Sequence, residues 1–191
     1  MRHDHLFIGG QWVESESGEV YTRRDPATGN VVSRHDRATR AEAERAIPAA
    51  REAFDHGPWP HMGAAARGDV LRRAAAELRE RTDELAQLIT LETGKPIAQA
   101  RGEIQTTANL FDHFTHLALE AHGESYSISG TYDALVAREP VGVVAAIVPW
   151  NFPIMMLAFK LAPALAVGCT VVCKPAELTN SIVAEVCEIL R

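Results

Sequence analysis

Residues 140–177 read PVGVVAAIVPWNFPIMMLAFKLAPALAVGCTVVCKPAE, and this stretch limits the possible folds more than any other. Residues 142–148 are a short, nearly continuous apolar run rich in valine. That suits a strand buried on both faces, as in a parallel sheet. Pro149 ends it, because proline has no N–H to give to a ladder. A stiff loop follows, Pro149-Trp150-Asn151-Phe152-Pro153, with a proline at each end. Residues 154–167 are long enough for a helix, and Gly168 stands at its natural stop. Residues 170–173 (TVVC) give a second buried strand, and KPAE follows at once. The spacing predicts a β-loop-α-β crossover, parallel and right-handed. The expected fold class is therefore α/β.

That topology predicts where function sits. Two parallel strands put their C-terminal ends on one edge, and open α/β sheets bind ligands beyond that edge. Asn151 follows the first strand and Lys174 the second, so Asn151, Lys174 and Glu177 are expected to converge. An amide, an ammonium and a carboxylate there would suit a polar ligand. The G-x-G-x-x-G fingerprint for a dinucleotide is missing after the first strand. Read singly, a lysine after a strand also fits a solvated end, and an asparagine between prolines also fits a turn former.

At EPVGVVAAIVPWNFP and KLAPALAVGCTVVCKPAE the chain resembles the N-terminal half of the NAD(P)-dependent aldehyde dehydrogenase superfamily. The likeness runs from about Phe7 to the last residue, with D-P-x-T-G at Asp25 and LETGKP before Ile97 as further marks. The resemblance implies a variant Rossmann sheet without the glycine fingerprint. It implies that Ile147, Val148, Pro149, Trp150 and Asn151 border the cofactor. It implies that the KPAE segment, Lys174, Pro175, Ala176 and Glu177, holds the adenosine ribose. It gives the Asn151 amide the oxyanion formed when a thiolate attacks the aldehyde. A carboxylate accepting from the ribose 2′-hydroxyl favours NAD and repels the 2′-phosphate of NADP, although Lys174 could tolerate a phosphate. In the family the thiohemiacetal gives hydride to NAD and water hydrolyses the thioester. An acylating relative passes the acyl group to coenzyme A instead, and Asn151 would serve it equally. A non-catalytic remnant binding nucleotide or an intact subunit is the other alternative.

Net charge and composition narrow the partners. The net charge of −6 over 191 residues argues against nucleic acid and anionic membranes. The apolar stretches are broken by Pro149, Pro153, Lys160 and Pro163, so none is expected to span a membrane. MRHDHLFIGG has no apolar signal core. Cys169, Cys173 and Cys187 lack paired spacing, which favours a reducing cytoplasm. Cys173 and Cys187 lie on apolar sides and read as small core residues. The eight histidines are scattered, so no metal site is expected.

The rest of the chain reads as a scaffold. Residues 5–13 suggest a hairpin around Gly9-Gly10, residues 19–22 a short strand, and residues 25–29 a turn. Thr39 is a good N-cap for a helix through Phe54, with Glu42 closing a capping box and Pro48 expected to kink it. Residues 56–60 break the chain. One helix is expected over residues 64–93 and another over 97–121, joined at Gly94. Their stripes are Leu71, Ala75, Leu78, Leu85, Leu88 and Ile89, then Ile104, Ala108, Phe111, Phe114 and Ala118. His113 and His116 read as packed or surface residues. Residues 123–130 read as a polar connector and 132–138 as a half-exposed strand, which in the family pairs with a partner subunit. The resemblance thus implies a homodimer or homotetramer. A last helix covers residues 179–191.

The resulting organisation is a hairpin and helices over 1–122, belonging to the cofactor-binding domain, then a connector and oligomerisation strand over 123–139. The first β-α-β unit of the NAD-binding sheet follows over 140–191. The family's nucleophilic cysteine, general base and remaining sheet lie in later segments. The 191 residues alone are therefore expected to be inactive and to fold poorly, with two strands leaving unpaired edges.

Overall fold

The computed structural model describes residues 2–130 and 132–191. The N-terminal part forms strands β1 (Arg2–Asp4), β2 (Leu6–Ile8), β3 (Gln11–Val13), β4 (Val20–Arg24) and β5 (Val31–Asp36). β2 and β3 make the expected hairpin, with Gly9 and Gly10 at φ 61° and 79°, the positive values that a two-residue hairpin turn needs. The other three form a sheet in the order β1-β5-β4, β1 parallel and β4 antiparallel to β5. β1 and β5 were not expected. β5 reads VVSRHD, and its buried positions are the polar Ser33, His35 and Asp36 rather than alternating apolar residues. The turn at Asp25 forms as anticipated, its carboxylate accepting from Ala27 N–H (2.9 Å) and the Thr28 hydroxyl (2.7 Å).

Helix α1 (Arg40–Asp55) starts at Thr39 and runs unbroken through Pro48. The buried Glu42 carboxylate accepts from the Thr39 hydroxyl, from Glu16 N–H at 2.7 Å and from Thr39 N–H at 2.6 Å, and these bonds, the hydroxyl's first, hold it near pKa 2. The single helix expected over 64–93 is two, α2 (Ala64–Glu80) and α3 (Thr82–Thr93). The break is local. Thr82 Oγ1 donates to the Arg79 carbonyl at 2.7 Å, and the Arg81 guanidinium binds Glu84 and Glu185, so backbone and side chain both favour a turn. Gly94 closes α3 in the left-handed region at φ 76°, and α4 (Ile97–Leu119) follows.

The expected connector at 123–130 contains a strand. β6 (Glu124–Ile128) pairs antiparallel with β7 (Tyr132–Val136), and Ser127 opposite Asp133 shows why polarity misled: neither face is buried. The C-terminal unit is β8 (Val143–Ile147), α5 (Pro153–Ala166), β9 (Thr170–Lys174) and α6 (Asn180–Leu190). β8 and β9 are parallel, from Val143 opposite Thr170 to Ile147 opposite Lys174. β8 is not buried on both faces, however. Ala146 and Val148 point inward, while Ile147 is 68% exposed, because a two-stranded sheet has one covered face here.

The core lies between α2, α3, α4, α5 and α6 and includes Leu71, Leu78, Leu85, Ile89, Ile104, Phe111, Ile154, Leu157 and Ile182, each at most 1% exposed. Burying each such side chain stabilises by about 1.5–3 kcal/mol. α1 braces the N-terminal ends of the parallel strands: Thr170 Oγ1 donates to the Ala50 carbonyl at 2.8 Å. Gly142, at φ 111°, comes so close that a Cβ would sit 3.0 Å from the Arg51 guanidinium. The C-terminal strand ends stay open. Among the described residues no helix is long and apolar enough to cross a membrane.

Candidate active site

The register of β8 on β9 sets the site. Ile147 lies opposite Lys174, and Val148 N–H donates to the Lys174 carbonyl at 3.2 Å, so both strands end level. Pro149 stops the ladder and Pro153 starts α5 at its first position, where its fixed φ suits a helix. The three residues between are held from both sides and exposed. Asn151 sits in a hollow of about 270 Å³ with Trp150, Phe152, Gln99 and residues 93–96. Trp150 and Phe152, both exposed, give the hollow an apolar side.

Two buried glutamates fix the site loops. Glu103 on α4 accepts from Ile154 N–H (3.2 Å) and Met155 N–H (3.3 Å), capping the start of α5, and pairs with Lys95. The Lys95 ammonium lies 3.8 Å from the centre of the Phe152 ring. Lys95 is thus both a salt-bridge partner and a cation over the aromatic next to Asn151. Glu92 on α3 does the same for α6, accepting from Ser181 N–H (3.0 Å) and Ile182 N–H (3.2 Å). Neither glutamate was singled out in the sequence. A signal existed: each falls on the buried stripe of its own helix, where an acid needs a partner.

Burial pushes the Glu92 carboxyl up to about 7, the nearby Asp4 charge adding to the rise and the two α6 amides opposing it. A carboxyl that holds its proton more tightly when folded stabilises the fold fully below its unfolded range near 4.5. That stability is lost as pH rises through about 7. Urea unfolding should therefore show stability falling between pH 5 and 7, by about 3 kcal/mol at most. Glu92→Gln should flatten that part of the profile. An unchanged slope in the variant would assign the pH dependence elsewhere.

Lys174 and Glu177 lie at the same sheet edge but belong to another part of it. The exposed Lys174 ammonium donates to the Pro175 carbonyl at 3.3 Å. Glu177 begins a short 3₁₀ turn (Glu177–Thr179) before α6 and stands 3.8 Å from the Arg37 guanidinium. Among the described residues no hydrogen bond or ion pair joins either to Asn151, and neither lines its hollow. Cys169 is buried, and burial raises the thiols of Cys173 to about 12 and Cys187 to about 11.

This geometry can be compared with known proteins. The model of the "Aldehyde dehydrogenase family" matches residues 12–191. The chain belongs to the aldehyde dehydrogenase family. Aldehyde dehydrogenase 1 of Tanacetum cinerariifolium is 43% identical over 91% of this chain and 35% of its own length. An NAD-dependent aldehyde dehydrogenase from Sinorhizobium meliloti superposes with a TM-score of 0.96 at 38% identity, covering 100% of this chain and 39% of that one. An NADP-dependent enzyme of E. coli superposes with a TM-score of 0.94 at 34% identity, over 99% of this chain and 39% of that one. This aldehyde dehydrogenase family chain thus spans about a third of the length of curated relatives it matches.

Strand pairing also overrides the scatter of histidines along the sequence. His3, His5 and Asp36 meet at the end of the β1-β5 pair, with one ligand atom of each within 4.8 Å of the others.

Proposed function

We propose that this chain carries the oxyanion donor and the adenosine end of the cofactor site of an enzyme oxidising an aldehyde to a carboxylic acid with NAD. The observation that carries the reading is Asn151, exposed at a strand end between two prolines and beside the clamped Phe152. On thiolate attack a sulfur–carbon bond forms and the carbonyl π pair moves onto oxygen. The Asn151 amide donates to that oxygen, the kind of preorganised contact worth about 3–4 kcal/mol. NAD, when bound, would supply the hydride acceptor for that carbon. Hydrolysis of the resulting thioester would form a carbon–oxygen bond from water, break the carbon–sulfur bond and return the thiolate.

Lys174 and Glu177 suit a ribose, because their present partners are weak: a carbonyl at 3.3 Å and a guanidinium at 3.8 Å. Ile147, Val148, Pro149 and Trp150 would form the wall behind, with Pro175 and Ala176 completing the KPAE turn. Arg37 beside Glu177 is a specific reason to keep NADP as a second reading, since a 2′-phosphate would find a cation there. Residues 140–191 serve as the first β-α-β unit of a variant Rossmann sheet and residues 1–122 as part of the same cofactor domain. Residues 123–139 are an oligomerisation arm. Tyr132 and Leu135, 72% and 80% exposed on a two-stranded ribbon, favour a homodimer or homotetramer. A cytoplasmic setting completes the reading.

The nucleophile lies outside residues 1–191 in this reading, since burial keeps Cys173 and Cys187 as thiols at neutral pH. Residues 1–191 alone should show no aldehyde-dependent NADH formation. The full-length enzyme should produce NADH from NAD and an aldehyde, read by absorbance. Glu177→Ala with Lys174→Ala should weaken NAD about 10- to 100-fold in a titration followed by tryptophan fluorescence. Unchanged NAD affinity in that variant would remove these two residues from the cofactor site.

A further inference from the structure

We propose that His3, His5 and Asp36 form a binding site for a divalent transition-metal cation of the zinc class, far in function from the aldehyde site. The local chain prepares it. His3 lies in β1 and His5 just past its end, and both rings reach the Asp36 carboxylate. Their centroids are 4.8 Å apart. Asp36 ends β5, the strand paired with β1, and meets both rings. His3 Nε2 lies 2.7 Å from Asp36 Oδ1, and His5 Nδ1 lies 2.9 Å from Oδ2.

The carboxylate is held by backbone while the imidazoles are part-exposed. Asp36 is 9% exposed, and the Ser15 N–H holds its Oδ2 at 3.1 Å. The His3 and His5 rings are part-exposed and open onto a hollow of about 370 Å³ with Glu14 on its rim. Three N/O ligands about 2.0–2.1 Å from a tetrahedral ion stand roughly 3.4 Å from one another. The three atoms here lie within 4.8 Å, so ring rotation of about an ångström suffices. Two imidazoles and one carboxylate suit Zn²⁺, Co²⁺, Ni²⁺ or Cu²⁺ rather than Ca²⁺ or Mg²⁺, which prefer all-oxygen shells. Glu14 or water would complete the coordination. Bound metal would tie the first strand to the end of β5, one residue before Arg37, the partner of Glu177.

The test is calorimetric titration of the full-length protein with ZnCl₂, alongside Co²⁺ titration read by its visible absorbance. One equivalent of Zn²⁺ should bind, with a rise in melting temperature and a tetrahedral Co²⁺ spectrum. His3→Ala with His5→Ala should weaken binding at least about a hundredfold, since even groups behind metal ligands cost roughly 10–100-fold. Both side chains are part-exposed, so the variant should fold, and His116→Ala on distant α4 is the control that should leave affinity unchanged. The proposal is overturned if no Zn²⁺ binds below 1 mM, or if the double variant binds as tightly as the parent. In either case the cluster is a hydrogen-bonded pair of histidines on one aspartate.

Discussion

Asn151→Ala in the full-length enzyme is expected to lower kcat about 10²- to 10³-fold, the usual cost of removing one preorganised donor to an oxyanion. KM for the aldehyde should change little, because the contact forms as charge develops rather than in the ground state. The substitution should leave stability within about 0.5 kcal/mol, since Asn151 is exposed and its loop is held by Pro149, Pro153 and Phe152 rather than by its own amide. NAD affinity should also hold, because Lys174 and Glu177 lie outside its hollow. Asn151→Asp is the sharper variant: it keeps the shape but replaces a donor with a negative acceptor, so its loss should exceed that of alanine. Steady-state kinetics with a fluorescence titration of NAD separates these effects. A kcat within about twofold of the parent in Asn151→Ala would mean that the amide is not the oxyanion donor.

How much of this was legible in the sequence varies with how local the cause is. The β8–α5–β9 unit was readable because each stop has its own chemistry: Pro149 for the ladder, Pro153 for the helix start and Gly168 for its end. The capping residue Thr39 with Glu42, the turn at Asp25 and the glycine stop at Gly94 were readable for the same reason. Long-range causes were not. β1 and β5 exist because they pair across about thirty residues and bury Ser33, His35 and Asp36, which no alternation announces. The break between α2 and α3 depends partly on Glu185, a residue far along the chain that binds Arg81. Asn151, Lys174 and Glu177 were singled out through the topology of parallel strands, and they stand at one sheet edge with no direct contact between Asn151 and the other two. Lys95 and Glu103 stayed hidden because their importance lies in what they meet in space. A lysine after Gly94 looks like a helix-joining residue until the Phe152 ring is found beneath its ammonium.

The two buried glutamates give the site its rigidity, and Glu103 should be the more sensitive. Both cap a helix that follows a strand of the parallel pair, so the helical layer holds the two loops that leave the sheet edge. Glu103 is fully buried on its side chain and Lys95 only 8% exposed. Removing one member of such a pair strands the other charge, at a cost of about 3–5 kcal/mol. Glu103→Ala also leaves Ile154 N–H and Met155 N–H without their acceptor. That is a large part of the 5–15 kcal/mol that holds a typical domain together. Urea denaturation should show the loss, and amide exchange should show faster opening at the first turn of α5. Glu103→Gln keeps an acceptor oxygen for the two amides but loses the charge, so α5 should stay protected while Lys95 is left unpaired. Adding Lys95→Met to Glu103→Gln should restore part of the stability, because the stranded ammonium is gone. It should not restore kcat fully, since Phe152 then has no cation above it. Rapid exchange confined to distant helices, with α5 still protected in Glu103→Ala, would show that the carboxylate does not hold the start of α5. Equal losses in Glu103→Gln and in the double variant would show that the stranded Lys95 ammonium costs nothing.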